Sequence, residues 1–269
     1  MVLSRLLGLI GGGDGQSPRN WQHLVEPNWP PAIYAIGDIH GCIDQLTDLE
    51  AKICADAASY EGDCWIVYLG DFLDRGPDSA AVLDRLIDPP PAGIRRICLA
   101  GNHEAMALEF FNAPRANAHW LQFGGDTTLA SYGIQQSAWS GASARALGDI
   151  VRSHIPREHL DFLRDLHLTL SVPGNVFVHA GLRPGIAPDQ QSESDLLWIR
   201  SDFFDAPPTP GLRVVHGHTP GPAVVQAEGR ICVDTGAFAT GILSAVRLTP
   251  DGAINILQSS ISPTSGPQG

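Results

Sequence analysis

Cysteine, basic residues and long apolar runs are all scarce in this chain of 269 residues. The cysteines form no CxxC pair and are scattered, at Cys42, Cys54, Cys64, Cys98 and Cys232. This usage excludes a disulfide scaffold and a cysteine-rich zinc site, and it fits a reducing compartment. We therefore expect a cytoplasmic protein.

The small number of basic residues limits the classes of molecule that the protein can bind. Lysine and arginine number 17 against 29 aspartates and glutamates, so the formal net charge is −12. A general nucleic-acid binder needs a basic face, and we expect no nucleic-acid partner. An anionic substrate is still compatible with this charge, because a metal ion or a few arginines can invert the local field.

No run approaches the roughly 20 apolar residues of a membrane span. Hydrophobic residues make up 43% of the chain, which is enough for a sizeable core. We expect a flexible N-terminal segment over residues 1–30, one folded domain over 31–257 and a flexible tail over 258–269. Four apolar residues on one helical face predict a weakly docked N-terminal turn, with surface contact as the alternative: Leu3, Leu6, Leu7 and Ile10.

The first half of the domain alternates predicted strands and helices. Short apolar runs predict strands over Ile33–Ile36, Trp65–Leu69 and Ile97–Leu99. Helical spacing predicts helices between them, over 44–58, with Asp44 as the cap, and over 78–87. This alternation indicates a parallel α/β core.

A helical insertion and a second group of strands follow. Helical patterns run from Glu104 to about Leu170. Short strands then return between tight Gly/Pro loops, at Val176–Val178, Val214–Val215, Ile231–Val233 and Ile242–Val246. These patterns favour a single core with an insertion over two domains.

Polar residues follow several of the predicted strands. Three strands end in Gly37-Asp38-Ile39-His40-Gly41, Gly70-Asp71 and Gly101-Asn102-His103-Glu104, and two later ones end at His179 and at His216-Gly217-His218. A single histidine or Gly-Asp pair is more often structural. Ligands in open α/β sheets lie at the carboxyl ends of the strands, so five such ends together predict a site.

The predicted donors are carboxylates, imidazoles and an amide, without sulfur. This set fits manganese, iron or zinc better than Cu(I) or an iron–sulfur cluster. Two divalent ions a few ångströms apart form a recurring clamp for in-line displacement at phosphorus. The strand ends therefore predict chemistry on a phosphate ester.

Five motifs in this order resemble the signature of the calcineurin-like metallophosphoesterases. They are Gly-Asp-Ile-His-Gly (37–41), Gly-Asp-Phe-Leu-Asp-Arg-Gly (70–76), Gly-Asn-His-Glu (101–104), His-Ala-Gly (179–181) and Gly-His-Thr (217–219). The Asp-Arg-Gly ending is similar to the phosphoprotein phosphatase branch. Leu-Trp-Ile-Arg (197–200) and Asp-Thr-Gly-Ala (234–237) resemble the compact bacterial and phage serine/threonine phosphatases. The resemblance implies a two-sheet αββα sandwich with a helical insertion.

The resemblance also implies a role for each matched residue. The metal ligands would be Asp38, His40, Asp71, Asn102, His179 and His218, with Asp71 bridging two divalent ions. Manganese is expected, with iron or zinc as alternatives, and a water between the ions would be the nucleophile. Arg75 and Arg200 would bind the phosphoryl group. His103 would protonate the leaving alkoxide, and Asp74 would orient that histidine.

The expected function is that of a metal-dependent phosphoprotein phosphatase, a hydrolase that acts on phosphoserine or phosphothreonine in a protein, with phosphotyrosine as an open alternative. A dinucleoside tetraphosphate hydrolase and a small-molecule phosphatase are alternatives on the same scaffold. The intact Asp74-Arg75 pair favours the protein phosphatase. A catalytically dead fold used for binding is the alternative from another class, although every implied ligand and the acid are present.

Three neighbouring residues have interpretations of their own. His216 could face the same side as His218 on an alternating strand, but a packing or supporting role is favoured. Trp120 either shapes the rim of the site or packs between helices. Glu104 is interpreted as structural.

Overall fold

Two mixed β-sheets packed face to face form the centre of the structure. The computed structural model describes residues 19–260. The strands within that range are β1 (Gln22–Val25), β2 (Ile33–Ile36), β3 (Cys64–Tyr68), β4 (Ile94–Cys98), β5 (His167–Val172), β6 (Asn175–Val178), β7 (Arg213–His216), β8 (Val225–Ala227), β9 (Arg230–Cys232), β10 (Ser244–Leu248) and β11 (Ile254–Gln258).

The first sheet has the strand order β11-β10-β2-β3-β4. β2, β3 and β4 run parallel, whereas β10 pairs antiparallel with both β2 and β11. Two helices, α1 (Ile43–Ala57) and α2 (Ser79–Ile87), connect the parallel strands. The predicted alternation of strands and helices is therefore confirmed.

The second sheet has the order β1-β5-β6-β7-β9-β8. Along the chain, the helical insertion lies between β4 and β5. It consists of α3 (Asn102–Asn112), a 3₁₀ helix (Ala118–Phe123), α4 (Gly125–Ser131), α5 (Gln136–Trp139), α6 (Ala144–His154) and α7 (Arg157–Arg164). The connections of the second sheet contain a 3₁₀ helix (Pro188–Gln190), α8 (Glu193–Trp198), α9 (Ser201–Phe204) and α10 (Ala237–Thr240).

Alternating side chains of each central strand divide the core into layers. In β2, Ile33 and Ala35 belong to the apolar cluster between the sheets, which includes Phe177 of β6. Tyr34 and Ile36 point to the opposite face and belong to the cluster that includes the helices. Burial on both faces explains the continuous apolar run of this strand, and the predicted αββα sandwich is confirmed.

The structure differs from the predicted elements in several places. β5 is a strand from His167 onward, where helical patterns were predicted to run to about Leu170. Cys42 precedes α1 as its N-cap, and Asp44 lies within the first helical turn, where a negative charge favours the helix dipole. β1 lies inside the segment 1–30 that was expected to be flexible. It pairs with β5, and Trp21 beside it donates a hydrogen bond from Nε1 to the Leu163 carbonyl at 2.8 Å.

We propose from this pairing that the folded domain begins before residue 31. The predicted N-terminal turn and most of the predicted C-terminal tail lie outside the described residues. Within residues 19–260, no helix is both long enough and apolar enough to cross a membrane.

Replacement of Trp21 tests whether this strand belongs to the folded unit. Trp21 is 9% exposed, whereas Val25 at the end of β1 is 66% exposed. Trp21→Ala should lower the free energy of unfolding by about 3–5 kcal/mol, the usual cost of deleting a buried tryptophan. The control Val25→Ala should change it by less than about 0.5 kcal/mol. Urea unfolding measures both, and equally small effects would contradict the assignment.

Candidate metal centre

Side chains that follow strands of both sheets meet in one buried cluster. The first sheet provides four of them after β2, β3 and β4, namely Asp38, His40, Asp71 and Asn102. The second sheet provides His179 after β6 and His218 after β7. None of the six is more than 5% exposed. All the metal ligands expected from the sequence therefore lie in the same place.

The backbone is strained at this cluster. Within residues 19–260, the non-glycine residues with positive φ are His40 (46°), Asp71 (52°), Asp74 (72°), Arg75 (67°) and His218 (64°). Such conformations cost on the order of 1–3 kcal/mol each and persist where the surrounding structure enforces them. All five belong to the predicted site, so the fold maintains strain where the side chains have to converge.

One part of the cluster brings four electron-pair donors close together. His179 Nε2 lies 2.9 Å from Asn102 Oδ1, 3.2 Å from His218 Nδ1 and 3.4 Å from Asp71 Oδ1. Nδ1 of His179 faces the Leu69 carbonyl at 2.8 Å and donates its hydrogen there. Nε2 therefore presents a lone pair to its neighbours, as a metal ligand does.

The other part of the cluster lies around His40. Its Nδ1 donates to the Leu73 carbonyl at 2.7 Å, and its Nε2 lies 3.6 Å from Asp71 Oδ2. Potential ligand atoms of His40, Asp71 and His103 lie within 4.8 Å of one another, as do those of Asp71, His179 and His218. Asp71 belongs to both groups. Asp38 belongs to neither, and its carboxylate accepts hydrogen bonds from the His218 amide at 3.0 and 3.2 Å.

Burial favours the neutral form of both the carboxyl and the imidazole groups of this cluster. It raises the pKa of Asp38 well above its usual range, and the charges of Asp234 and Asp71 add to this effect. Burial also raises the pKa of Asp71. The imidazoles shift the opposite way, because burial lowers the pKa of His179 well below its ordinary value and that of His218 to about 3. Neutral imidazoles of His179 and His218 thus lie beside carboxylates whose ionised form is disfavoured by burial.

These features fit divalent cations. Nε2 of His40 is buried without a hydrogen-bond partner, and Nδ1 of His218 faces the donors Asn102 Oδ1 and His179 Nε2. Buried polar atoms of this kind are uncommon, and each needs an explanation. A cation would accept the unused lone pairs and would compensate the buried carboxylates. The donor set contains oxygen and nitrogen but no sulfur, as the sequence predicted.

A family model described as calcineurin-like phosphoesterase matches residues 31–242. The chain belongs to this family. The chain is therefore a hydrolase of the metallophosphoesterase type, and the family implies divalent metal ions in the cluster described above. The resemblance seen in the five sequence motifs is confirmed.

Two curated relatives and one solved structure extend the comparison. The chain is 28% identical to serine/threonine-protein phosphatase 1 of Salmonella typhimurium, over 85% of this chain and 96% of that protein. It is 26% identical to the asymmetrical bis(5'-nucleosyl)-tetraphosphatase PrpE of Oceanobacillus iheyensis, over 80% of this chain and 88% of that protein. The structure of a protein serine/threonine phosphatase from Saccharomyces cerevisiae superposes with a TM-score of 0.57 at 13% identity, covering 93% of this chain and 86% of that one. That likeness concerns the fold alone.

The predicted acid of this metallophosphoesterase lies beside the buried cluster of predicted ligands. His103 Nδ1 is 2.6 Å from Asp74 Oδ2, and its Nε2 is 3.1 Å from Nη2 of Arg75. Burial lowers the pKa of His103, but the charges of Asp71 and Asp74 and the hydrogen bond to Asp74 outweigh it, so its pKa is raised above the ordinary value. The predicted pair of His103 and Asp74 is thus assembled.

Both predicted phosphate-binding arginines lie beside residues of the cluster. The guanidinium of Arg75 lies 4.8 Å from the centre of the Phe238 ring, a cation–π contact beside His103. Arg200 is exposed, and its Nη2 lies 3.5 Å from the His218 carbonyl. Guanidinium groups in these places can bind phosphoryl oxygens in a bidentate manner.

His216 packs away from the donors. Its ring lies 5.2 Å from Phe203 and 5.6 Å from Phe204, measured between ring centres. Burial lowers its pKa to about 4. The packing interpretation of His216 therefore agrees with the structure.

Two residues outside the expected ligand set also contribute to the cluster. Glu104 accepts hydrogen bonds from the amides of Gly101, Asp71 and Phe72, each at 2.8 Å, and so joins the ends of β3 and β4. Asp234 adds a further carboxylate, and its charge raises the pKa of Asp38. From the sequence, Glu104 was interpreted as structural, and Asp234 as a strand-end turn residue with a supporting role at the site as the alternative.

Gly101 offers a test of how closely the backbone must approach Asp71. Its φ of −106° and ψ of 175° are accessible to alanine, but an added Cβ would overlap Asp71 Oδ1. Gly101→Ala should therefore displace the carboxylate, release at least one cation and lower kcat on an aryl phosphate by at least about tenfold.

The control for this prediction is Gly148→Ala in α6. The three atoms nearest to a Cβ there all belong to the flexible side chain of Arg152, so metal content and kcat should not change. Elemental analysis after manganese loading gives the metal content. Two bound cations and normal kcat in Gly101→Ala would show that this close approach is unimportant.

Proposed function

We propose that this chain is a serine/threonine protein phosphatase, which removes the phosphoryl group from phosphoserine or phosphothreonine. The reaction would use two divalent cations, and manganese is the expected metal. Bound cations would supply a water nucleophile at neutral pH and would neutralise phosphoryl charge. Asp38, His40 and Asp71 would hold the first. Asp71, Asn102, His179 and His218 would hold the second.

The remaining residues of the proposed site act on the substrate. Arg75 and Arg200 would bind the phosphoryl oxygens and orient them for displacement. His103 would give a proton to the departing oxygen. Asp74 would keep the imidazole oriented, with Nδ1–H toward the carboxylate and Nε2 toward the substrate.

The observation that supports a protein substrate is the buried pair of His103 and Asp74, 2.6 Å apart beside Arg75. An alkoxide of serine or threonine is strongly basic, and its departure is accelerated by a positioned acid. The phosphate group that leaves a dinucleoside tetraphosphate is far less basic and gains little from one. An intact acid pair therefore favours the phosphomonoester, and the relative in Salmonella typhimurium, named a serine/threonine-protein phosphatase, points the same way.

A dinucleoside tetraphosphate is the second candidate substrate. It is favoured by the relative in Oceanobacillus iheyensis, whose name is that of a tetraphosphatase and whose coverage is similar. Small phosphomonoesters are a third possibility on the same chemistry. The acid pair argues against the tetraphosphate, and the wide exposure of Arg200 suits a large substrate.

Parallel assays decide between these substrates. A phosphoserine peptide, diadenosine tetraphosphate and an aryl phosphate are supplied to the manganese-loaded protein, and kcat/KM is compared. We expect the phosphopeptide to be hydrolysed with a higher kcat/KM than the tetraphosphate. Turnover of the tetraphosphate alone would contradict the proposal. Failure on all three substrates, with two cations bound, would indicate a fold used for binding.

A further inference from the structure

The Asp74 side chain makes more hydrogen bonds than orientation of a histidine requires. Oδ2 faces His103 Nδ1 at 2.6 Å and also accepts a hydrogen bond from Trp120 Nε1 at 2.7 Å. Oδ1 accepts one from Thr128 Oγ1 at 2.7 Å. Both carboxylate oxygens therefore accept a hydrogen bond from residues 120–128 of the helical insertion. Asp74, Trp120 and Thr128 are all completely buried.

The backbone of this loop is held by the same segment. The Asp74 amide donates to Thr128 Oγ1 at 2.9 Å and to Ser79 Oγ at 3.1 Å, and the Arg75 amide donates to the Gly124 carbonyl at 3.3 Å. Asp74 and Arg75 both have positive φ, a conformation that needs support in residues with a side chain. Residues 120–128 therefore fix the side chain and the strained backbone together.

The indole ring of Trp120 is itself immobilised. Its centre lies 4.8 Å from that of Phe110 and 5.4 Å from that of Phe111, both on α3. A Cβ on Gly125 would overlap the indole, so the absence of a side chain there lets the segment close over the ring. The direction of the Nε1–H bond toward Asp74 is consequently fixed by packing.

We propose that Trp120 and Thr128 are positioning residues for the general acid. By occupying the outer hydrogen-bonding sites of Asp74, they prevent rotation of its carboxylate and so keep His103 Nε2 directed at the leaving group. Residues 120–128 of the helical insertion would then serve the proton-transfer step indirectly, through Asp74 and His103. This inference deepens the proposed function and rests on it.

The loss of rate in a variant without these hydrogen bonds should therefore depend on the leaving group of the substrate. Loss of positioning should slow the release of a basic alkoxide, which needs the proton, more than the release of nitrophenolate, which barely needs it. A variant that merely loosens the fold should slow both substrates alike. The ratio of the two rates therefore separates positioning from a structural role.

The test measures kcat on a phosphoserine peptide and on 4-nitrophenyl phosphate with the manganese-loaded protein. Trp120→Phe keeps an aromatic ring and removes the N–H donor. It should keep both cations and slow the phosphopeptide about 10–100-fold, the range for loss of a supporting hydrogen bond, with a clearly smaller loss on the aryl phosphate. His103→Asn defines the largest change in the ratio that loss of the acid can produce.

Three further variants make the result decisive. Thr128→Val should repeat the pattern, and Thr128→Ser, which keeps the hydroxyl, should restore the wild-type ratio. These two also decide the question if Trp120→Phe fails to fold. The control Tyr132→Phe removes a different hydrogen bond of the insertion, from Tyr132 to His159 Nδ1 at 2.6 Å, and should leave the ratio unchanged.

Equal losses on both substrates in Trp120→Phe, or in Thr128→Val where the first variant does not fold, would overturn the positioning role. So would a ratio no different from that of Tyr132→Phe. Wild-type protein that hydrolyses the aryl phosphate but no phosphopeptide would contradict the proposed function instead. The two failures are therefore distinguishable.

Discussion

The carboxylate of Asp71 is the group on which the rest of the site depends. Oδ1 lies 3.4 Å from His179 Nε2 and accepts a hydrogen bond from the His103 amide at 3.0 Å, while Oδ2 lies 3.6 Å from His40 Nε2. One side chain thus faces donors from both sheets. Its φ of 52° and the contacts of Glu104 with its amide hold it between them. The close packing of the two sheets is needed to bring these donors to a single carboxylate.

Burial of this cluster is unfavourable in the protein alone. Asp38, Asp71 and Asp234 are almost fully enclosed, and burial raises the pKa of each, that of Asp234 to about 6. Divalent cations reverse this penalty, because their charge favours the ionised carboxylates and uses the imidazole lone pairs. Metal binding and stability of the site are therefore linked, and loss of a ligand should weaken both.

Much of this arrangement could be predicted from the sequence, because it depends on local order along the chain. Asp38, Asp71 and Asn102 follow apolar strands directly, and parallel strands place their carboxyl ends together. The contacts of Trp120 and Thr128 with Asp74 could not be predicted, since they depend on how the insertion folds back over a loop some 46 and 54 residues earlier. β1 was missed for a related reason. Its residues show little apolar alternation, and its pairing with β5 spans more than 140 residues.

The number of cations bound per chain tests the central claim most directly. Apo protein is titrated with manganese, and the bound metal is counted by calorimetry and elemental analysis. Because Asp71 faces both groups of donors, wild-type protein should bind two ions per chain and Asp71→Asn at most one. Binding of fewer than two ions by the wild type, or of two ions by Asp71→Asn, would contradict the account of a bridged dinuclear centre.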